Sequence, residues 1–178
     1  MTIQCEKVGP EFFDNARWCF RAHEIVNATP ERVFEIFCDA ESWTKWALPI
    51  KDVEWTSPFP LEVGSTRTVT MMGDLVGHEE FITWDPPRAM AFRFNEVSRP
   101  GVGAFAEDYK VHDLGDGRSL VEWAMAMAPE GASARTFPLT APLMGAGLRF
   151  MLGRFRSYVD SEPVLASDLP ASAAGAGV

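Results

Sequence analysis

Glu24, Glu107 and Tyr109 are the residues whose types and spacing could do chemistry in this chain. Glu107 lies in Phe105-Ala106-Glu107-Asp108-Tyr109-Lys110-Val111 and Glu24 in Phe20-Arg21-Ala22-His23-Glu24-Ile25-Val26. Each carboxylate is two residues from apolar neighbours on both sides, and residues two apart share one face of a strand. A carboxyl held inside such a face is harder to ionise, so its pKa rises and it can give or take a proton near neutral pH. That suits a general acid or base able to orient a carbonyl or hydroxyl, or to remove a proton beside a carbonyl. Tyr109 follows Glu107 by two and offers a hydroxyl to a ligand oxygen. The same spacing also fits a solvated outer face with each glutamate paired to an arginine, and the residues alone leave both placements open.

Other chemistries find little support. His23, His78 and His112 make no HxH, HxxxH or HExxH spacing, so no metal site is expected. His23 and His112 have the parity opposite to Glu24 and Glu107, which predicts solvent exposure. There is no GxSxG elbow for a nucleophile. Gly101-Val102-Gly103 follows Pro100 and precedes a strand, the wrong setting for a phosphate loop, and reads as a flap. Cys5, Cys19 and Cys38 are odd in number and widely spaced, which predicts reduced thiols and no disulfide framework. No cofactor is expected.

The elements that must position these residues follow from periodicity and turn signals. Residues 1–17 read as an arm docking Phe12 and Phe13. Trp18 to Asn27 alternates as a strand. Thr29 as N-cap and Pro30 at the first helical position open a short helix with Val33, Phe34 and Phe37 inward. A second short helix, Ala40 to Trp46, sets Trp43 and Trp46 on one face and ends before Pro49. Strands are then expected at Asp52 to Thr56, Ser65 to Met72, Leu75 to Trp84, Ala89 to Glu96, Phe105 to Leu114 and Ser119 to Met127. Gly73-Asp74 and Gly115-Asp116-Gly117-Arg118 supply hairpin turns. Ala128 to Thr136 reads as a loop, with Arg135 near a pocket mouth. From Pro142, the residues Leu143, Met144, Leu148, Met151, Leu152, Phe155 and Val159 recur at three and four, an amphipathic helix. The tail from Ser161 is small, polar and rich in Pro, Ala and Gly, the composition of a disordered segment.

Antiparallel strands with one apolar face need a cover, and the last helix is the only element long enough. Strand parity then nominates an interior. Met90, Phe92 and Phe94 share one face, as do Phe105, Glu107, Tyr109 and Val111, and Trp123 and Met125. The cover adds Met144, Leu148, Met151, Leu152 and Phe155, and the second short helix adds Trp43 and Trp46. Thioethers and rings adapt to flat or greasy guests, though the same residues would also fill a solid core.

The 178 residues suit one domain, and 47% hydrophobic content is enough for a core. Sixteen Lys and Arg against 25 Asp and Glu give a formal net charge of −9, which argues against nucleic acid and anionic membrane partners. No apolar run approaches ~18 residues and no signal peptide is visible, so a cytoplasmic protein without stable membrane insertion is expected. The oligomeric state stays open.

The order of elements, with Ile25-Val26-Asn27-Ala28-Thr29-Pro30-Glu31-Arg32-Val33-Phe34, Ala40-Glu41-Ser42-Trp43-Thr44-Lys45-Trp46, Gly64, Trp84-Asp85-Pro86-Pro87-Arg88 and the Gly115-Asp116-Gly117 turn before Val121-Glu122-Trp123, resembles the helix-grip superfamily. That superfamily includes pollen-allergen proteins, START lipid-transfer domains and aromatic polyketide cyclases. The closest resemblance is to its bacterial polyketide cyclase/dehydrase and lipid-transport branch. The resemblance implies an α+β helix-grip fold over residues 18–160: a curved antiparallel sheet of six or seven strands around a long C-terminal helix, with two short helices between the first two strands. It also implies a deep apolar pocket and no fixed reaction. Three readings follow. The first is binding or transport of a small hydrophobic molecule, such as a lipid or aromatic polyketide. The second is a cyclase or dehydratase using Glu107, Tyr109 or Glu24. The third is an interaction module with a vestigial pocket.

Overall fold

Thr29 shows how the chain turns its first strand into a helix. Its Oγ1 accepts from the Arg32 amide at 3.4 Å, and Pro30 occupies the first helical position, where a missing N–H costs nothing. Asp39 repeats the device one helix later, its carboxylate accepting from the Glu41 amide at 3.0 Å. The computed structural model describes residues 2–161. In order, the elements are β1 (Ile3–Gln4), α1 (Phe12–Asn15), β2 (Trp18–Val26), α2 (Pro30–Cys38), α3 (Ala40–Trp46), β3 (Ile50–Trp55), β4 (Thr66–Met71), β5 (Leu75–Asp85), β6 (Ala89–Val97), β7 (Val102–Asp113), β8 (Ser119–Pro129) and α4 (Gly131–Ser161).

The strands form one antiparallel sheet in the order β2-β8-β7-β6-β5-β4-β3. Pairing is regular between β6 and β7 from Ala89 to Arg93 and between β7 and β8 from Ala104 to Asp113, so inward parity set by one residue holds over those spans; a register shift falls between Val102 and Ala104. The β7–β8 turn takes Gly115 and Gly117 into positive φ, which a side chain would resist. α4 lies across the concave face, chiefly on β2, and buries Phe137, Ala141, Leu148, Leu152, Phe155 and Val159 along one stripe. This is the α+β helix grip expected from the sequence.

Four local expectations need correction. α4 begins at Gly131, well before Pro142, and takes in the stretch read as a loop, including Arg135. Pro138 and Pro142 each remove one amide from the helix interior, yet Phe137 and Ala141 anchor that half, with Phe137 edge-on to Trp18 at 5.3 Å. Leu143 faces outward with 71% of its surface exposed, so the buried stripe passes it by. Val102 and Gly103 belong to β7 and form no flap; an added Cβ on Gly103 would meet the Ala128 carbonyl at 2.9 Å. The arm contains a strand. β6 and β7 pair only as far as Arg93 and Ala106, then splay, and β1 fills the gap by pairing with Glu96 and Val97. The Cys5 amide reaches the Asn95 carbonyl at 2.9 Å and the Glu6 amide the Gly103 carbonyl at 2.7 Å, which ties the two splayed strands together. Phe13 and Val8 cover Ala91, Ala104, Ala106, Ala124 and Ala126 on the convex face. Ser161 closes α4, and the disorder expected for residues 162–178 lies outside the described residues.

Candidate functional site

Inward parity on β6, β7 and β8 brings Phe92, Phe94, Phe105, Glu107, Tyr109, Trp123 and Met125 to one cavity of about 200 Å³. Trp43 and Trp46 of α3 and Met144 and Met151 of α4 complete that part of the lining. Tyr109 stacks on Trp123 at 5.2 Å with 19° between planes, and Phe94 on Phe105 at 4.5 Å, so two walls are flat. α4 fixes α3 in place: Arg154 donates to the Lys45 carbonyl at 3.0 Å and to the Trp46 carbonyl at 3.1 Å. Those carbonyls end a helix and lack partners within it, so the contact sets Trp46 against the cavity.

Five nominated residues do not reach the cavity. Met90, Val111, Leu148, Leu152 and Phe155 are buried, but their neighbours fill the space around them. Phe155 stacks on Phe37 at 5.2 Å and meets Trp46 edge-on at 5.0 Å. Glu24 is also outside. It sits at the α4 edge of the grip, partly exposed, where Arg156 donates to it at 3.4 Å. The pairing with arginine is the placement that holds.

The sequence reading missed Ala47, Pro49, Ile50, Val69 and Met71, and above all Arg67 and Glu79. Arg67 on β4 and Glu79 on β5 stand directly opposite, and the Arg67 Nε donates to the Glu79 carboxylate. Their side chains are 1% and 4% exposed. The guanidinium lies 4.3 Å from the Trp43 ring centre and 4.5 Å from that of Phe92, so aromatic faces share in holding its charge. A parity signal existed: Arg67, Val69 and Met71 alternate on β4, and Glu79 and Phe81 on β5.

Glu107 is the site's proton-holding group. Burial pushes its pKa up to about 8, and the negative Glu79 adds to the rise. The Tyr109 hydroxyl, which donates to Glu107 Oε2 at 2.7 Å, pulls the other way, as do the Arg67 charge and the Trp123 indole. The indole is near enough to favour the charged carboxylate, yet its N–H makes no hydrogen bond of ordinary geometry. Burial also raises the Glu79 pKa, against the pull of Arg67, and lifts Tyr109 well above its usual range. Glu79 accepts from the Arg67 guanidinium, and the two form a buried ion pair. The site thus has one matched ion pair and one carboxyl that is protonated at neutral pH. His23 and His112 lie on the exposed convex side, with His112 Nε2 2.7 Å from Glu122.

Comparison with known proteins bears on the family and the fold. An uncharacterised protein of Mycobacterium tuberculosis, Rv2574, is 44% identical over 157 residues, covering 88% of this chain and 93% of that one. A START superfamily protein from Mycobacterium smegmatis superposes with a TM-score of 0.67 at 14% identity, covering 80% of this chain and 97% of that one. The ZhuI aromatase/cyclase from Streptomyces sp. R1128 gives 0.62 at 16% identity, covering 79% and 90%. Both structures share the fold. Among the described residues no helix is long and apolar enough to cross a membrane. The family model for polyketide cyclase/dehydrase and lipid transport matches residues 17–160, and the chain belongs to that family.

Proposed function

We propose that this protein binds one small, largely apolar molecule inside the grip. The observation that carries the reading is the cavity of about 200 Å³ lined mainly by rings and thioethers beside the packed core. For scale, an apolar cavity of ~150 Å³ takes up benzene, so this one suits one or two rings. The family's description and its lipid-transport association support the same reading.

The test begins with native mass spectrometry of freshly purified protein and extraction of whatever it carries. It continues with Met125→Trp, which fills the cavity. Binding of a bicyclic hydrocarbon by the wild type and its loss in the variant is the expected result. Equal uptake by both proteins would place the guest elsewhere and sink the reading.

One observation favours a second reading, proton-transfer catalysis of the cyclase or dehydratase kind. Glu107 holds its proton near neutral pH within 2.7 Å of a tyrosine hydroxyl. Here Glu107→Gln separates binder from enzyme. An enzyme loses turnover of the extracted compound while still binding it, and a carrier shows no turnover in either form.

A further inference from the structure

We infer that residues 2–8 are a releasable strap on the mouth of the cavity: seated, they hold in place the lip made by Phe94 and Phe105, and unseated they free that lip so that the guest enters and leaves. This rests on the binding reading above and adds how exchange is controlled.

The cavity reaches solvent at the end where Pro49, Ile50, Met71, Phe105 and Met144 of its lining keep part of their surface exposed. On the sheet side, that end lies where β6 and β7 part. Arg93 and Ala106 are their last paired residues, and Phe94 and Phe105 come next. Both rings line the cavity, and they stack on each other across the split at 4.5 Å. Beyond them the two strands no longer bond to each other, and the arm takes the vacant place through the amides of Cys5 and Glu6. Cys5 packs with Phe94 and Val97, joined by Ile3, Val102 and Phe105. The two rings thus belong both to the cavity wall and to the cluster that the arm completes.

The arm is held unevenly. β1 pairs with β6 over two residues, and Thr2 donates to the Glu96 carboxylate at 2.5 Å. Toward β7 it has the Glu6 amide at 2.7 Å from the Gly103 carbonyl and the Cys5 thiol at 3.6 Å from that of Val102. Thr2, Gln4, Glu6 and Lys7 are exposed. Val8 is buried, and Arg93 donates to its carbonyl at 2.9 Å, which makes it the hinge end. A strand this short opens at a small part of the cost of unfolding the sheet. β7 and β8, by contrast, pair without a slip from Ala104 to Asp113, so the grip stays closed while the arm lifts.

The experiment uses the whole protein and naphthalene, whose entry and exit rates are read by stopped-flow tryptophan fluorescence. Gln4→Cys with Glu96→Cys puts thiols on directly opposed residues, so oxidation ties the arm to β6 and reduction frees it in one and the same protein. Glu6→Pro removes the amide that reaches Gly103 and alters no cavity residue. Oxidation should slow entry and exit together severalfold, and reduction should restore both. Glu6→Pro should speed both severalfold, as the loss of one backbone hydrogen bond allows. Kd should stay unchanged, because the guest meets the same wall once the arm reseats. Hydrogen exchange, which needs no guest, should find the Cys5 and Glu6 amides opening well before those that join β7 to β8.

Rates indifferent to oxidation and to Glu6→Pro, with naphthalene still bound, overturn the strap and leave the binding reading standing. A change in exit alone, with Kd moving in proportion, makes the arm a fixed wall and overturns it as well. Arm amides protected as long as those between β7 and β8 do the same. If wild-type protein takes up no naphthalene, the binding reading falls, and this inference with it.

Discussion

Replacing Glu107 by Gln tests the buried carboxyl directly, through stability. Unfolded, a glutamate loses its proton at about pH 4.3; in the folded protein this one keeps it to about 8. Between those values the folded state binds one more proton than the unfolded state, so stability falls as pH rises. The slope is ~1.4 kcal/mol per pH unit. Above the folded pKa the loss levels off. Gln has nearly the same shape, can accept from Tyr109 and does not titrate. The stability gap in favour of Glu107→Gln should therefore grow by roughly 3 kcal/mol from about pH 5 to about pH 7.5. Glu79, Arg67 and Tyr109, which face Glu107, are present in both proteins, so their own titration largely cancels in the difference. Urea unfolding followed by tryptophan fluorescence across that range measures the gap. A gap that stays flat, or narrows as pH rises, would refute a carboxyl buried and protonated at neutral pH.

Other substitutions probe the frame around the site. Arg67→Met leaves Glu79 buried without its partner and should cost about 3–5 kcal/mol, while Arg67→Met with Glu79→Leu should recover much of that in urea unfolding. A single variant as stable as wild type would remove the buried ion pair from the account. Phe155→Ala should cost about 3–5 kcal/mol in the solid part of the core. Leu143→Ala on the outer face of α4 should stay within ~0.5 kcal/mol; thermal midpoints that reversed this order would place the buried stripe wrongly. Thr29→Ala removes the α2 cap and should cost about 1 kcal/mol, checked by the same melts.

The legible part of the fold was the part with local punctuation. Gly115-Asp116-Gly117, Thr29-Pro30 and the Pro86-Pro87 break all mark element ends by backbone preference, and β6 to β8 run without a slip of parity across Phe92, Glu107 and Trp123. The start of α4 was hidden because Pro138 and Pro142 look like helix breakers, and tertiary anchoring through Phe137 outweighs them. Arg67 and Glu79 were hidden for a different reason. A charge in a strand reads as surface until its partner across the strand is known, and that pairing depends on register between β4 and β5. Cavity against solid core was not legible at all. Leu148 and Met151 share one helix and similar hydrophobicity, yet only Met151 borders empty space, because the distinction lies in how neighbouring volumes fill.

The pairing of β2 with β8 has a consequence for how the chain folds. Trp18 pairs with Met127 and Val26 with Ser119, so the first long strand finds its neighbour only when the last strand exists. α4, which rests chiefly on β2, comes later still. Closing so long a loop takes entropy that local hairpins do not demand. Topologies dominated by such distant pairings fold on the order of milliseconds to seconds. A growing chain can form the hairpins from β4 to β7 early, but with neither β8 nor α4 it leaves β2 unpaired. The grip closes last.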